Sequence, residues 1–364
     1  MSAPQTEAVT MAAPCPDDLV DGIMVSVVVC VYNDADYLEA CLQSLGIQSY
    51  PAAWTEILVV DDGSTDGSGE VAERFHGVRL IRQENQGPAT ARNRGVQQAR
   101  GRWVAFIDSD CEAEPDWLEK LVAALPELEN PPSHGVVAMG GAQKGHSDDP
   151  PLAREIDGFL TAIGFIGDYV KPHRQATPVG HNASCNVLYH RRTFLRVGGF
   201  RLGVFPGEDV ELDRRISLAG GRIHFTPNAL VHHHRVNTWA AWRRMLIAYG
   251  RASADNVRLH GIFRIIQLIP LLLLPMAAGW GILMAWWPVT AWSVLAVTLL
   301  VCGGGAVRIS RGSGVPMGRF LLFSAMTATL FTWGFWNRLV TVLMTPPYRL
   351  ETALPPLADP VPED

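Results

Sequence analysis

The sequence predicts an α/β domain built on a doubly wound, mainly parallel sheet, followed by a helical transmembrane region. Strand-like and helix-like segments alternate over residues 23–107, which is typical of a parallel sheet with helices on both faces. Further along, the 43 residues of 265–307 include no Asp, Glu, Lys or Arg. As a helix that stretch would reach roughly 65 Å, about twice the hydrocarbon thickness of a bilayer.

The elements of the α/β domain follow in a regular order. A β-branched run predicts a first strand that is buried on both faces, and the next segment carries an apolar stripe at helical spacing. In chain order the prediction is a strand over 23–31, a helix over 34–45, strands over 56–60 and 78–81, a helix over 88–100 and a strand over 103–107. Residues 131–181, rich in Gly, Pro and His, predict a sheet edge and loops. Residues 208–218 predict a helix, and 222–231 predict extended segments.

Composition restricts the partners and the compartment. A formal net charge of −6 and a charged fraction of 18% give no basic field, so no nucleic acid is expected as a partner. The six cysteines are scattered without a Cys-x-x-Cys pair, which fits reduced thiols better than a disulfide framework or a zinc site. The first twenty residues lack a basic segment followed by an apolar one, so we expect no cleaved signal and a cytoplasmic α/β domain.

The uncharged stretch predicts two transmembrane helices, over 266–286 and 289–307. Arginines stand at both ends of this hairpin, so both ends are expected in the cytoplasm under the positive-inside rule. A third apolar stretch, 320–344, contains Asn337 and Arg338 and fits either a span or a re-entrant segment. Together these features predict a multi-pass protein of the inner (plasma) membrane.

The segment before the uncharged stretch carries aromatic and arginine side chains at helical spacing. It fits an amphipathic helix on the membrane surface or an ordinary packing helix, and its position favours the interface. The predicted division of the chain is a disordered N-terminus over 1–22, the α/β domain over 23–236, an interfacial helix over 237–262, transmembrane helices over 263–345 and a tail over 346–364.

Polar clusters follow three of the predicted strands: Asn33, the pair Asp61 and Asp62, and the pair Asp108 and Asp110. Ligands of doubly wound sheets bind beyond the carboxyl ends of the strands, where all three clusters fall. Asp108-Ser109-Asp110 also supplies two carboxylates that would face the same way on a continuing strand. Mg²⁺ or Mn²⁺ takes such ligands together with phosphate oxygens, so this tripeptide is the candidate metal site, although an Asp-x-Asp alone is a weak signal.

Four segments, taken in order, resemble the motifs of family 2 glycosyltransferases, which have the GT-A fold. They are the run Val25–Asn33, the turn Asp61–Asp66, the segment Asn85–Asn93 and the motif Asp108–Asp110. The resemblance covers about residues 23–235. Cys30 departs from the family, whose members usually have Pro there, but the change removes no ligand. The resemblance implies a GT-A (Rossmann-like) catalytic domain and a hexosyltransferase that binds a nucleotide-sugar, most often a UDP- or GDP-sugar.

The same resemblance assigns roles to individual residues. Tyr32 is expected against the nucleobase, Asp62 in a hydrogen bond with it, and Gly87 where the backbone approaches the nucleotide. The expected nucleotide-sugar site comprises Tyr32, Asn33, Asp61, Asp62, Gly87, Arg92 and Asp108, with Arg92 or Arg94 toward the phosphates or ribose. Asp108 is expected to lie toward the sugar or ribose and Asp110 toward the metal, with Asp108 also a candidate metal ligand.

The segment Gly207–Glu211 resembles the Glu-Asp motif that the family has at a helix start. A carboxylate there can remove the proton of an acceptor hydroxyl. We assign this role to Asp209, with Glu208 as the second catalytic candidate. Acidic residues also complement a helix N-terminus for purely structural reasons.

Three histidines, His232, His233 and His234, follow an extended segment. Alternation along a strand puts His232 and His234 on one face and His233 on the other. Some GT-A enzymes have a third metal ligand in this region, and His232 is the residue expected in that role. Solvated or substrate-contacting histidines near a phosphate-rich surface would also explain the triplet.

The predicted function is an inverting transfer of one sugar to a lipid-linked or membrane acceptor of the cell envelope. A processive polysaccharide synthase is one alternative, but its Gln-x-x-Arg-Trp motif is absent, since Trp242-Arg243-Arg244 does not match it. A non-catalytic membrane protein that binds nucleotide-sugars is another, which the carboxylates at 108, 110 and 209 argue against. A metal transporter would need ionisable pairs within the membrane segments, and the uncharged stretch has none.

Overall fold

The computed structural model describes residues 24–125, 135–164 and 176–344, and the predicted N-terminus 1–22 and tail 346–364 lie outside them. The strands are β1 (Val25–Val31), β2 (Thr55–Asp61), β3 (Val78–Arg82), β4 (Trp103–Asp108), β5 (Cys111–Ala113), β6 (Val136–Gly145), β7 (Thr177–Pro178), β8 (Asn186–His190) and β9 (Arg222–His233). The helices are α1 (Ala35–Gly46), α2 (Ser68–Glu73), α3 (Pro88–Gln98), α4 (Trp117–Ala123), α5 (Pro151–Ala162), α6 (Arg191–Arg196), α7 (Glu208–Leu218), α8 (Trp239–His260), α9 (Leu268–Trp286), α10 (Pro288–Ser313), α11 (Met317–Met326) and α12 (Thr332–Met344), with a π-helical segment (Thr327–Phe331) before α12.

The described strands form one sheet in the order β3-β2-β1-β4-β8-β6-β9-β5, with β7 paired to β9. β1 pairs in parallel with β2 and β4, and β2 pairs in parallel with β3. These pairings confirm the predicted parallel sheet of the GT-A type. β8 runs antiparallel to both β4 and β6, so the second half of the sheet is mixed.

One inner strand, β6, occupies a region that the sequence predicts as a sheet edge and loops. The prediction is wrong there because glycines stand inside β6 for packing reasons. A Cβ added at Gly140 would overlap the side chain of Asn182, and one at Gly141 would overlap the Ala229 carbonyl and the Asn186 side chain. The glycines that suggest a loop are therefore required by close neighbours within the sheet.

Apolar side chains cover both faces of the sheet. Along β4, Ala105 and Ile107 belong to one core cluster, whereas Val104 and Phe106 belong to the other, as the alternation of a strand requires. Helices α1 and α4 close the first face, and α3, α6 and α7 close the second. The carboxyl ends of the parallel strands emerge between these layers, and the candidate site lies there.

Helix α8 packs inside the protein along its aromatic stripe. Trp242 and Leu246 are fully buried, in a cluster that includes Phe159 of α5 and Phe323 of α11. These contacts favour the ordinary packing helix over the interfacial helix predicted for 237–262. Apolar side chains at helical spacing do not by themselves tell a protein core from a membrane surface.

Helices α8 and α12 approach each other closely at two glycines. A Cβ added at Gly250 would lie well inside van der Waals contact of the Phe331 carbonyl, and one at Gly334 would do the same to the Ile247 carbonyl. Backbone therefore meets backbone at both positions, so α8 packs closely against α12 and the π-helical segment before it.

Within the described residues, one unbroken helix is long and apolar enough to cross a membrane. It is Ile265–Trp286, with 22 residues and a mean hydropathy of 2.0, and almost none of its residues is buried. This helix matches the predicted span 266–286. The second predicted span, 289–307, lies in α10, and side chains over much of it fall outside the described part.

The third apolar stretch, 320–344, lies mostly in the second of two helices that meet at a sharp bend. The helices Gly304–Ser313 and Met317–Val342 together have the length and composition of a span, but they are bent by 109° at the break. That shape fits a broken span or a re-entrant segment, so the choice between a span and a re-entrant segment for 320–344 stays open. Phe320 and Phe323 of this stretch are buried among the side chains of α5 and α8. The described residues thus include one unbroken helix that could span a membrane, and the multi-pass prediction is not supported.

Candidate active site

The polar clusters predicted at the strand ends lie along one edge of the sheet. In the parallel ladder, Val31 of β1 is opposite Asp61 of β2, and Cys30 of β1 is opposite Asp108 of β4. Three neighbouring strands therefore end at the same level, and the loops that follow them meet. The hydrogen bonds and ion pairs of each side chain at this edge indicate whether it shapes a loop or is available to a ligand.

The loop after β1 is fastened to the turn after β2. The Asn33 side-chain oxygen accepts a hydrogen bond from the Thr65 N–H at 2.8 Å, and the Asn33 N–H donates to the Ser64 hydroxyl at 3.0 Å. Asn33 has φ 52°, a left-handed conformation that Asn tolerates better than most residues. Asp61 is buried and accepts from the Ser64 N–H at 2.8 Å. Asn33 and Asp61 thus shape these loops, whereas Tyr32 is 52% exposed.

Asp62 organises the loop that precedes α3. Its carboxylate accepts hydrogen bonds from the Gln83 side-chain amide at 2.6 Å, the Gln86 N–H at 2.9 Å and the Gly87 N–H at 2.8 Å. Gly87 has φ 87°, a conformation that favours glycine, and Pro88 begins the helix directly after it. The predicted contact of Asp62 with a nucleobase stays a prediction, and the structure adds that Asp62 fixes the position of Gly87.

Arg92 is enclosed between two carboxylates. Its side chain is 8% exposed and lies 2.7 Å from Asp108 and 2.6 Å from Glu208. The expectation that Arg92 points toward phosphates or ribose is therefore corrected: burial of a guanidinium is costly, and these two acidic partners offset that cost. Arg94, the alternative residue, is exposed on α3.

Glu208 is the inner member of the Glu-Asp pair. It is 2% exposed, and burial raises its pKa to about 7 although the Arg92 charge acts in the opposite direction. Glu208 begins α7 directly after Gly207, which has φ 115°. Because the Glu208 carboxylate contacts Arg92 inside the domain, it is poorly placed for the catalytic role suggested as second candidate.

Asp209 lines an open cleft. Its carboxylate accepts from the Ser184 N–H at 3.2 Å and lies 3.9 Å from Nε2 of His181. Nδ1 of His181 lies 3.0 Å from Asp213, a fully buried carboxylate that also accepts from the Tyr189 hydroxyl at 2.8 Å. Buried groups therefore orient the imidazole that stands beside Asp209.

Two carboxylates and an imidazole form a candidate metal centre. Ligand atoms of Asp108, Asp110 and His233 all lie within 4.8 Å of one another, and Asp110 is 3.4 Å from Nε2 of His233. Burial lowers the pKa of His233, but the Asp110 carboxylate and further contacts outweigh it and raise the pKa to about 10. The site thus favours positive charge at this imidazole, and a divalent cation can supply that charge in place of the proton.

His232, the residue predicted as third metal ligand, lies on the other face of β9. Its Nε2 is 2.8 Å from Glu114. The side-chain alternation predicted along this segment is confirmed, but the choice of face is corrected. β5 pairs with β9 so that Cys111 is opposite His233, which brings His233 toward the acidic motif that precedes β5. The pairing of β5 with β9 cannot be predicted from the residues around the three histidines.

A second group of possible ligands lies on the His232 face of β9. Ligand atoms of Glu112, His146 and His234 are all within 4.8 Å of one another. Nδ1 of His234 lies 2.9 Å from Asp149, and the His234 ring packs against the ring of Tyr37, with centroids 4.6 Å apart.

A cleft of about 440 Å³ joins these groups to the C-terminal helices. Asp108, Asp110, Asp209 and His233 are among its lining residues. The lining from α8 and from the segment before α9 includes Tyr249, Asn256, Arg264, Ile266 and Gln267. The acidic centre and the start of the apolar helix α9 therefore border one cleft.

Three residues that line the cleft, Gln143, His181 and Arg235, are not predicted from the sequence. Gln143 and His181 line it but come from the region predicted as edge and loops. Arg235 lines it too, donating to Asp157 at 2.7 Å and to Gln143 at 3.0 Å. Arg235 follows His233 by two residues, so strand alternation continued past the triplet could have identified it.

The chain matches the sequence family described as Glycosyl transferase family 2 over residues 26–198. Glycosyltransferase AglE of Haloferax volcanii is 30% identical over 215 residues, which cover 57% of this chain and 66% of the relative. The pre-mycofactocin glycosyltransferase of Mycobacterium tuberculosis is 28% identical over 281 residues, which cover 76% of this chain and 55% of the relative. The chain thus spans two thirds or less of the length of these curated relatives.

A solved structure has a similar fold over nearly the whole chain. It is mannosyltransferase PcManGT from Pyrobaculum calidifontis in complex with GDP-Man and Mn²⁺, with a TM-score of 0.60 at 21% identity. The match covers 90% of this chain and 89% of that chain, so it extends past the α/β domain into the C-terminal helices.

Proposed function

We propose that this chain, which belongs to glycosyltransferase family 2, is a metal-dependent, inverting glycosyltransferase. Its catalytic domain has the GT-A fold. The proposed acceptor is lipid-linked or another membrane molecule. The enzyme would move one sugar from a nucleotide-sugar, with UDP- and GDP-sugars as the first donors to test. The observation that carries the proposal is the shared cleft, which is lined both by Asp108, Asp110 and Asp209 and by the residues leading into α9.

Asp108, Asp110 and His233 are proposed to hold the divalent cation. When bound, the cation offsets the charge that develops on the departing nucleoside diphosphate. The imidazole favours Mn²⁺ over Mg²⁺, because Mg²⁺ is bound chiefly by oxygen ligands. PcManGT was solved with Mn²⁺, which makes Mn²⁺ the first cation to test here.

The loops after β1 and β2 are proposed to bind the nucleotide. Tyr32, half-exposed at the end of β1, offers a ring for stacking on the base. Asn33, Asp61 and Asp62 act on the nucleotide by fixing these loops, and Asp62 also fixes the Gly87 backbone. Arg92 contributes indirectly, because its guanidinium fixes the position of the Asp108 carboxylate.

Asp209 is proposed as the base. It takes the proton of the acceptor hydroxyl while that oxygen attacks the anomeric carbon, and the bond from this carbon to the diphosphate oxygen breaks on the opposite side. Such a displacement inverts the configuration. The Ser184 N–H and the His181 ring keep the Asp209 carboxylate aimed into the cleft.

The membrane acceptor is inferred from the part of the cleft wall that leads into α9. Arg264, Ile266 and Gln267 line the cleft, and α9 begins one residue later with its apolar side chains mostly exposed. A lipid embedded beside α9 would present its polar end at this wall. Arg258 and Arg264 precede α9, so we propose a plasma-membrane protein whose α/β domain is cytoplasmic. The multi-pass arrangement is not retained.

A ligand screen tests the proposal. The full chain in detergent is heated with UDP-, GDP- and dTDP-sugars, each with and without Mn²⁺. A bound donor stabilises the fold by mass action, about 2.7 kcal/mol at a hundredfold excess over Kd. We expect one nucleotide class to raise the Tm in a Mn²⁺-dependent way, and Asp110→Ala to remove the Mn²⁺ dependence. If no nucleotide-sugar raises the Tm under either condition, the proposal is wrong.

A further inference from the structure

A pair of thiols lies next to the candidate metal centre. The Sγ atoms of Cys111 and Cys185 and a ring nitrogen of His233 are all within 4.8 Å of one another. Cys111 and Cys185 are both buried, and Cys185 is part of the cleft wall. The two cysteines are far apart in the sequence, so the absence of a Cys-x-x-Cys pair says nothing about this cluster.

The fold brings the three side chains together through two strands. Cys111 is the first residue of β5 and is paired with His233 of β9, while Cys185 immediately precedes β8. Asp110 completes the group, because its carboxylate is 3.8 Å from the Cys111 sulfur and 3.4 Å from Nε2 of His233. Two sulfurs and one nitrogen therefore lie together, and a carboxylate lies beside Cys111 and His233.

This donor set suits a different cation from the one proposed for transfer. Thiolates select soft or borderline cations such as Zn²⁺ and Cd²⁺, whereas carboxylates suit Mg²⁺ and Mn²⁺. In a tetrahedral zinc site with metal–sulfur bonds of about 2.3 Å, two sulfurs lie roughly 3.7 Å apart. Small side-chain movements from the present arrangement reach that spacing, and the cleft gives access to Cys185.

We propose that Cys111, Cys185 and His233, with Asp110 as fourth ligand, form a site for a soft divalent cation, and that filling it inhibits sugar transfer. Inhibition follows because His233 and Asp110 cannot serve this cation and the Asp108–Asp110–His233 centre at once. Binding releases to solvent the two thiol protons and the proton on the ligating nitrogen of His233, and no group is oxidised or reduced. The inhibitory part rests on the proposed function, whereas the binding part does not.

Binding is tested first by Cd²⁺ titration of the reduced full chain in detergent without chelators. The readout is the ultraviolet charge-transfer band from sulfur to cadmium, which needs no enzyme activity. We expect a saturable band in the wild type that Cys185→Ser and Cys111→Ala each reduce strongly. Cys41→Ala is the matched control, since Cys41 is also a buried thiol but lies outside the cluster. A wild-type titration without the band, or an equal band in Cys185→Ser, overturns the proposal.

Inhibition is tested by adding Cd²⁺ to Mn²⁺-supported sugar transfer. We expect Mn²⁺ to relieve the inhibition competitively. Cys185→Ser should need at least about 10-fold more Cd²⁺ for half inhibition, since even the loss of an outer-shell partner weakens metal binding by roughly 10–100-fold. A charge-transfer band with no loss of transfer would show that the two sites are independent and would overturn the shared-ligand inference. Absence of transfer in every condition, with the band present, would instead contradict the proposed function.

Discussion

The guanidinium of Arg92 joins Asp108 to Glu208, at 2.7 Å and 2.6 Å, and so links the end of β4 to the first residue of α7. Asp108 belongs to the candidate metal centre, and Glu208 is the chain neighbour of the proposed base Asp209. The buried guanidinium of Arg92 therefore sets the distance between the candidate metal centre and the proposed base.

Removing this cation should destabilise the protein. Arg92→Met keeps the length of the side chain but leaves two carboxylates unpaired, so we expect a loss of about 3–5 kcal/mol in the free energy of unfolding. Chemical denaturation of the full chain measures it. Arg94→Met, on the exposed face of the same helix, is the control and should change stability little. Equal stability of the two variants would show that the Arg92 ion pairs are unimportant.

Glu208 should give the stability a pH dependence. Its pKa in the folded protein is about 7, against an ordinary value of 4.5, so the folded state holds the proton more tightly than the unfolded state. Its contribution to stability is therefore greatest below about pH 4.5 and is lost as the pH rises toward 7.

Glu208→Gln isolates this effect because glutamine does not titrate. The variant should gain stability relative to the wild type as the pH rises from about 4.5 to 7, and the difference should then stay level. Unfolding midpoints measured at several pH values across this window give the comparison. A difference that does not vary with pH would mean that the pKa of Glu208 is not raised.

Asp209→Asn should leave donor binding intact and slow transfer by about 10²-fold or more, the usual size of general-base catalysis. The amide keeps the volume of the side chain but cannot take a proton. Initial rates at saturating donor, together with donor-induced Tm shifts, separate the two effects. Asp116→Asn, at a half-exposed carboxylate that directly precedes α4 and does not line the cleft, serves as the control. Transfer near the wild-type rate in Asp209→Asn would place the base elsewhere.

The contact between α8 and α12 should not tolerate a methyl group. Gly334→Ala would push a Cβ into the Ile247 carbonyl, so we expect a clear loss of thermal stability. Gly279→Ala, in α9, meets no atom within 4 Å and should be neutral or slightly stabilising, because Ala favours helix over Gly by about 1 kcal/mol. Thermal unfolding of both variants in the same detergent makes the test. Equal Tm values would show that the helices can separate without cost.

The sequence predicts the parallel half of the fold well, because β1, β2 and β4 are apolar runs that end in polar clusters. Its predictions fail for β6, where Gly140 and Gly141 are needed by neighbouring side chains and only look like loop residues. The same limit applies to α8, whose buried Trp242 gives the pattern of an interfacial helix as readily as that of a packing helix.

Local sequence motifs identify the residues of the candidate site more reliably than they predict the position of each side chain in it. Asp108, Asp110 and Asp209 line the cleft as the motifs suggest. Arg92 and His232 lie elsewhere than expected. The position of Arg92 depends on its ion pair with Glu208, which is far along the chain. The position of His232 depends on the pairing of β5 with β9. Long-range contacts of this kind are set by the whole fold.

The most direct test of the central claim is sugar transfer from a labelled nucleotide-sugar by the purified full chain, measured with Mn²⁺, after EDTA, and after Mn²⁺ is restored. We expect transfer to fall to background in EDTA and to return with Mn²⁺. Asp110→Ala should stay at background throughout while its unfolding transition remains cooperative. Unchanged turnover in EDTA, or wild-type turnover in Asp110→Ala, would contradict a metal-dependent transfer at Asp108, Asp110 and His233.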